Sequence, residues 1–208
     1  MLLLLMKKTI ITIALTALAA IAAFGADNPA AVLSQASAKL KSAKSIVASC
    51  VISSASASSN ASLTMSGNKF AIKSPEMEIW YDGKTQWTYS ARTDEVSLTE
   101  PDASEISQVN PLAVLDYFTS SYTPTMLPPS KGVKKIKLTA KDRKSGITSA
   151  IVTLQSTSLD PVSVELTLST GERVAISVKS LKKGGAVNAS AFTYRKSLHP
   201  SAEIVDLR

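Results

Sequence analysis

The side chains with the most chemical potential in this 208-residue chain are few and far apart. His199 is the single histidine and could act as a general base, but beside Pro200 and close to the C-terminus its expected place is a solvated tail. Glu76 and Glu78 stand two apart in a segment that reads as strand, so they would share a face. Paired carboxylates can do acid–base work, yet solvent-facing charges flanking a hairpin account for them more simply. Cys50 is the single cysteine, so no internal disulfide is available, and its expected role is that of a small apolar residue. The sequence contains no metal-ligand cluster, no Gly-x-Ser-x-Gly elbow and no phosphate loop. Lys182-Lys183 beside Gly184-Gly185 reads as an exposed loop. The expectation is a protein that is not an enzyme and uses no cofactor.

The elements point the same way. Asn28-Pro29 is a good helix start, with Leu33, Ala36, Leu40 and Ala43 at helical spacing behind it. From Ile46 onward the pattern alternates in twos and is rich in Val, Ile, Thr and Ser. Leu63 and Met65, Phe70 and Ile72, and Met77, Ile79 and Tyr81 each keep to one side of a strand. Ile136, Leu138 and Ala140 repeat the pattern, as do Val162, Val164, Leu166 and Leu168, and then Val174, Ile176 and Val178. Between these runs stand turn residues: Asp82-Gly83, Lys144-Ser145-Gly146, Asp160-Pro161 and Thr170-Gly171. Asp82-Gly83 is the strongest hairpin signal and predicts a two-residue type I′ turn, after which Thr85, Trp87 and Tyr89 return on the next strand. Asn110-Pro111 predicts a second helix with Leu112 and Leu115 on its apolar side. Thr123 to Gly132, with three prolines, reads as a loop.

Consecutive strands joined by short turns are antiparallel neighbours, and a long sheet with one apolar face must curl or be covered. The expected fold is mainly β (α+β): an incomplete antiparallel β-barrel of about ten to eleven strands with a short helical lid over an apolar cavity.

Lys7 and Lys8 precede an apolar run from Thr9 to Phe24, and Ala23-Phe24-Gly25 satisfies the small-x-small rule for signal peptidase. Residues 1–25 therefore read as a cleaved signal peptide and 26–208 as one domain, in a soluble periplasmic protein without a lipid anchor, since no cysteine follows the apolar run. Met6 is the more natural start. Without Lys7 and Lys8 the net charge falls from +7 to +5, dispersed over the chain, with no aromatic-interleaved basic patch of the kind nucleic-acid binding uses.

Ile79 to Tyr89 (Ile-Trp-Tyr-Asp-Gly-Lys-Thr-Gln-Trp-Thr-Tyr) resembles the strand–turn–strand signature of the periplasmic outer-membrane lipoprotein carrier (LolA) family. Asn110-Pro111-Leu112 resembles the start of that family's central helix, and Gly185 to Tyr194 its C-terminal segment. The resemblance implies a carrier that takes the acyl chains of lipid-modified proteins from an inner-membrane ABC-type releasing complex to an outer-membrane acceptor, which the sequence does not identify. The expected state is a monomer. Proteobacterial members hold the lid with an arginine early in the barrel. Here Leu63 to Ile72 contains no arginine, and Lys69 lacks the planar fork that would replace it. The candidate acyl-lining residues are Met77, Ile79, Tyr81, Trp87, Tyr89, Val164, Leu166, Val174 and Ile176, with Leu112 and Leu115 from the lid. For each of them, ordinary barrel core is the competing role. A shuttle for a glycolipid, or a lipid-sensing regulatory module, are the alternatives on the same fold.

Overall fold

The computed structural model describes residues 28–102, 105–106 and 120–208. The predicted second helix at Asn110-Pro111, with Leu112 and Leu115, lies outside them. Among the described residues one α-helix, α1 (Pro29–Lys41), precedes twelve strands. The first six are β1 (Ile46–Ser53), β2 (Ser58–Ser66), β3 (Lys69–Lys73), β4 (Met77–Tyr81), β5 (Gln86–Ser90) and β6 (Glu95–Thr99). The others are β7 (Tyr122–Met126), β8 (Val133–Ala140), β9 (Ile147–Gln155), β10 (Pro161–Leu168), β11 (Arg173–Lys183) and β12 (Glu203–Asp206). All belong to one sheet in the order β12-β6-β5-β4-β3-β2-β1-β11-β10-β9-β8-β7. Every pairing is antiparallel except β12 on β6, and the edge strands β12 and β7 do not meet, so the barrel stays open.

The fold class is as expected, mainly β in an open antiparallel sheet, but with twelve strands rather than ten to eleven, and there are further corrections in detail. Thr123 to Gly132 is not wholly loop, because β7 takes its first residues and pairs Pro124 with Leu138. A proline, lacking an N–H, is tolerated there because β7 is an edge strand. The Asp82-Gly83 hairpin is not type I′. Asp82 Oδ1 accepts hydrogen bonds from the Lys84 and Thr85 amides, both at 2.9 Å, which holds Asp82 before the turn rather than inside it. The turn centres on Gly83 and Lys84, of which only Gly83 has positive φ (104°), a value an L side chain resists. Lys182 and Lys183 end β11 rather than standing in a loop, which begins at Gly184.

Asn28 caps α1 through Oδ1, accepting from Ala30 N at 3.0 Å, with Pro29 in the first turn as expected. The helix lays Val32, Leu33 and Ala36 on the inner face of the sheet, against Tyr122, Ile136, Leu138, Ala150, Leu154 and Leu159. Leu159 is buried although its φ is 62°; the apolar surface it removes from water offsets a backbone strain of about 1–3 kcal/mol. Farther along, Leu40 and Ala43 pack on a second inner cluster of Ile46, Met65, Phe70, Ile79 and Tyr81. A third cluster lies on the opposite, outer face. There the C-terminal segment, with turns at Ala189–Phe192 and Lys196–Leu198, places Phe192, Tyr194 and Ala202 against Ala71, Trp80 and Val96.

Candidate functional site

Register assigns every strand residue to a face. Leu63 pairs with Ile72 and Ile72 with Ile79, while Met65, Phe70 and Tyr81 form the neighbouring row, so these side chains share the inner face. Ile46, Ala48, Cys50 and Ile52 continue it on β1. Cys50 sits opposite Val178 and Ile52 opposite Ile176 on β11. Val164 then pairs with Ile176 and with Val152, and Leu166 with Val174 and with Ala150. The result is an aliphatic surface running from β9 through β10, β11 and β1 without a charged member among those named. A bulge at Ser49/Cys50 shifts the phase of β11, which turns Leu181 inward opposite Ala48 and leaves Ser180 and Lys182 outside. Val174 and Ile176 stay half-buried, and among the described residues neither joins one of the packed clusters.

The structure therefore brings Ile79, Tyr81, Val164, Leu166, Val174 and Ile176 to one face. Ile79 and Tyr81 are themselves buried core, and Met77, at the strand start, is exposed. It does not bring Trp87 and Tyr89 to that face. Trp87 pairs with Trp80 and Tyr89 with Glu78, both on the outer side, while Gln86 and Thr88 take the inner positions beside Tyr81 and Ile79. Four residues separate β4 from β5, and an even-numbered connection sets odd-numbered residues of one strand opposite even-numbered ones of the next. Ala48, Cys50, Ile52 and Val178 were not among the candidates. In β1 both phases are apolar, Val47 and Val51 on one side and Ala48, Cys50 and Ile52 on the other, so alternation alone could not choose between them. Burial pushes the Cys50 thiol above its ordinary range, as a half-buried apolar setting should.

Trp87 and Tyr89 instead help to build the outer core. His199 is not a solvated tail residue. Its ring stacks on Tyr89 with centroids 3.6 Å apart, and its Nε2 donates to Glu78 Oε1 at 3.0 Å. Glu78 also pairs across the strands with Lys73 at 3.0 Å, and Lys73 Nζ lies 5.1 Å from the Trp80 ring. Tyr194 O–H donates to the His199 carbonyl, and Tyr89 O–H to Asp94 Oδ1 at 3.2 Å. Burial first, and the Asp94 carboxylate second, push both phenols above their ordinary range. Lys196 donates to the Ala202 carbonyl and closes the segment on itself. Together these contacts clamp the C-terminal segment to the sheet. Replacing His199 with alanine removes one partly buried charge-assisted bond and a ring stack. A loss of about 1–2 kcal/mol is expected in urea unfolding, with Glu78 still held by Lys73; a variant as stable as the parent would show the clamp to be idle. Glu76 stands outside β4 and does not join Glu78 in this cluster. Among the described residues, no group of three or more His, Cys, Asp or Glu is placed to hold a metal ion. No described helix is long and apolar enough to cross a membrane.

Comparison with known proteins places this geometry. The family model described as "Outer membrane lipoprotein carrier protein LolA" matches residues 19–170. The C-terminal clamp lies beyond that match. No curated protein sequence matches the chain. An uncharacterised conserved protein from Thermus thermophilus superposes with a TM-score of 0.57 at 11% identity, covering 84% of this chain and 96% of that one. MucB from Pseudomonas aeruginosa, solved in a MucA/MucB complex, superposes with a TM-score of 0.53 at 12% identity over 81% of this chain; the match spans 62% of that chain. At these identities the likeness is one of fold.

Proposed function

The chain belongs to the outer membrane lipoprotein carrier protein LolA family, and on that premise we propose that it ferries the acyl chains of lipid-modified proteins through the periplasm. In this reading residues 1–25 direct export and 26–208 form the carrier. Cargo arrives from an inner-membrane ABC-type releasing complex and leaves to an acceptor at the outer membrane. The observation that supports it best is the aliphatic inner surface of β9, β10, β11 and β1, with Val174 and Ile176 half-buried outside the clusters that the described residues form. A carrier needs sequestration with release and no reaction. Each buried methylene contributes about 0.8 kcal/mol, so one fully buried chain of roughly 16 carbons would gain ~13 kcal/mol before any cost. Shielding has to be partial if cargo is to leave, and an open sheet shields partially.

Cys50 supplies a native reporter, being half-buried in the middle of that surface. Alkylation of Cys50 by N-ethylmaleimide is expected to slow at least fivefold when a palmitoylated peptide is added, and to be unchanged by the same peptide without its acyl group. Equal rates in all three samples would remove the inner face as the cargo site. In the native host, depletion should leave acylated proteins at the inner membrane. The likeness to MucB, solved with MucA, supports a second reading in which the same fold binds a partner protein. Normal lipoprotein sorting after depletion would favour that reading, or a glycolipid cargo.

A further inference from the structure

We infer that the outer face carries a second binding site, separate from the cargo surface, for a small organic anion bearing a phosphate or carboxylate group. A cavity of about 200 Å³ lies between the sheet and the C-terminal segment, lined by Ser62, Thr64, Lys73, Trp80, Ser190 and Arg195 among others. Its polar members come from three separate parts of the chain: Ser62 and Thr64 from β2, Lys73 from β3, and Ser190 and Arg195 from the covering segment. All of them can donate hydrogen bonds, and among the described residues no carboxylate lines the cavity.

Ser62, Ser190 and Arg195 are exposed and Thr64 half-buried, so the cavity opens to solvent and a ligand would replace water on these donors. Lys73 is shared with Glu78. Among the described residues, no hydrogen bond or ion pair engages the Arg195 guanidinium or the hydroxyls of Ser62, Thr64 and Ser190. A planar guanidinium beside three free hydroxyls and an ammonium matches the oxygens of a phosphate or carboxylate, which it can hold in bidentate fashion. The Trp80 indole, 1% exposed and with the Lys73 ammonium 5.1 Å from its ring, forms the floor of the cavity and holds that ammonium in place. On β2 the side chains alternate, so Ser62 and Thr64 face this cavity while Leu63 and Met65 face the opposite side. Occupancy of this site would also brace the segment against the sheet, since its donors come from both.

The ligand could be free or could be a lipid headgroup, and the two sources are separable. The full mature chain, labelled with ¹⁵N, would be titrated with inorganic phosphate, glycerol 3-phosphate and succinate, and pelleted with phosphatidylglycerol vesicles. Saturable movement of the Trp80 indole N–H and the Ser190 amide with any soluble probe assigns a free anion. Vesicle binding without a soluble response, lost in Arg195→Gln, assigns a headgroup. In either case Arg195→Gln is expected to weaken binding about tenfold or more, the scale of one charge-assisted pair, and Arg195→Lys to restore part of it. Acyl-peptide protection of Cys50 should be the same in both variants, which separates this site from the cargo face. No saturable response to any probe and no Arg195-dependent pelleting, or equal responses in Arg195→Gln and the parent, would overturn the inference.

Discussion

Replacing Phe192 with alanine is expected to destabilise the protein by about 3–5 kcal/mol, the range for emptying a well-packed aromatic site. Phe192 is 1% exposed and sits among Ala71, Trp80, Val96, Tyr194 and Ala202, where the covering segment meets the outer face. Its loss leaves a void under that segment, which has hydrogen bonds and the His199 stack but no other aromatic as deeply buried to hold it. Domains of this size are stable by only about 5–15 kcal/mol, so the change consumes a large share of the total. Two readouts distinguish it from general damage. Urea unfolding gives the size of the loss, and a red shift of tryptophan emission reports water reaching Trp80. Leu198 belongs to the same segment but is 37% exposed, so Leu198→Ala should cost less than about 1 kcal/mol. Equal losses for the two variants would mean that the segment is not anchored through Phe192.

The second large effect falls on cargo. Val164 lies on the inner face between Ile176 and Val152, half-buried at the border of the cluster under α1. A glutamate there can turn toward solvent in the empty protein, so folding should survive with a loss of about 1–2 kcal/mol. An acyl chain laid over the same strands would trap that carboxylate away from water, at a cost of several kcal/mol. Val164→Glu should therefore weaken binding of a palmitoylated peptide roughly 100-fold or more, with lower pH, which neutralises the carboxylate, restoring part of the affinity. The isosteric Val164→Thr should lie between the two. Undiminished binding in Val164→Glu would place the acyl chain elsewhere than on β10.

Much of the architecture was legible in the order of residues. Asn28-Pro29 starts α1 because an asparagine side chain satisfies orphan amides and proline has none to satisfy. Alternation in β8, β10 and β11 announced half-buried strands, and the short turn at Thr170-Gly171 made β10 and β11 antiparallel neighbours. In those strands one phase is polar, so the inward row of Val164, Leu166, Val174 and Ile176 could be read directly. In β4 and β5 it could not. Ile79, Trp80 and Tyr81 are all buried, because this part of the sheet carries a core on each face, and a strand apolar in both phases says nothing about which phase points where. Trp87 and Tyr89 look like partners of Tyr81 until register puts them behind it.

His199 was equally opaque, since its neighbours Glu78 and Tyr89 are more than a hundred residues away in sequence. Local pattern records what each segment buries, because burial is a property of a side chain's own periodicity. It does not record against what. That was decided by the return of the last residues across the outer side of the sheet, which turned an apparent tail into a clamp and gathered scattered donors around one cavity.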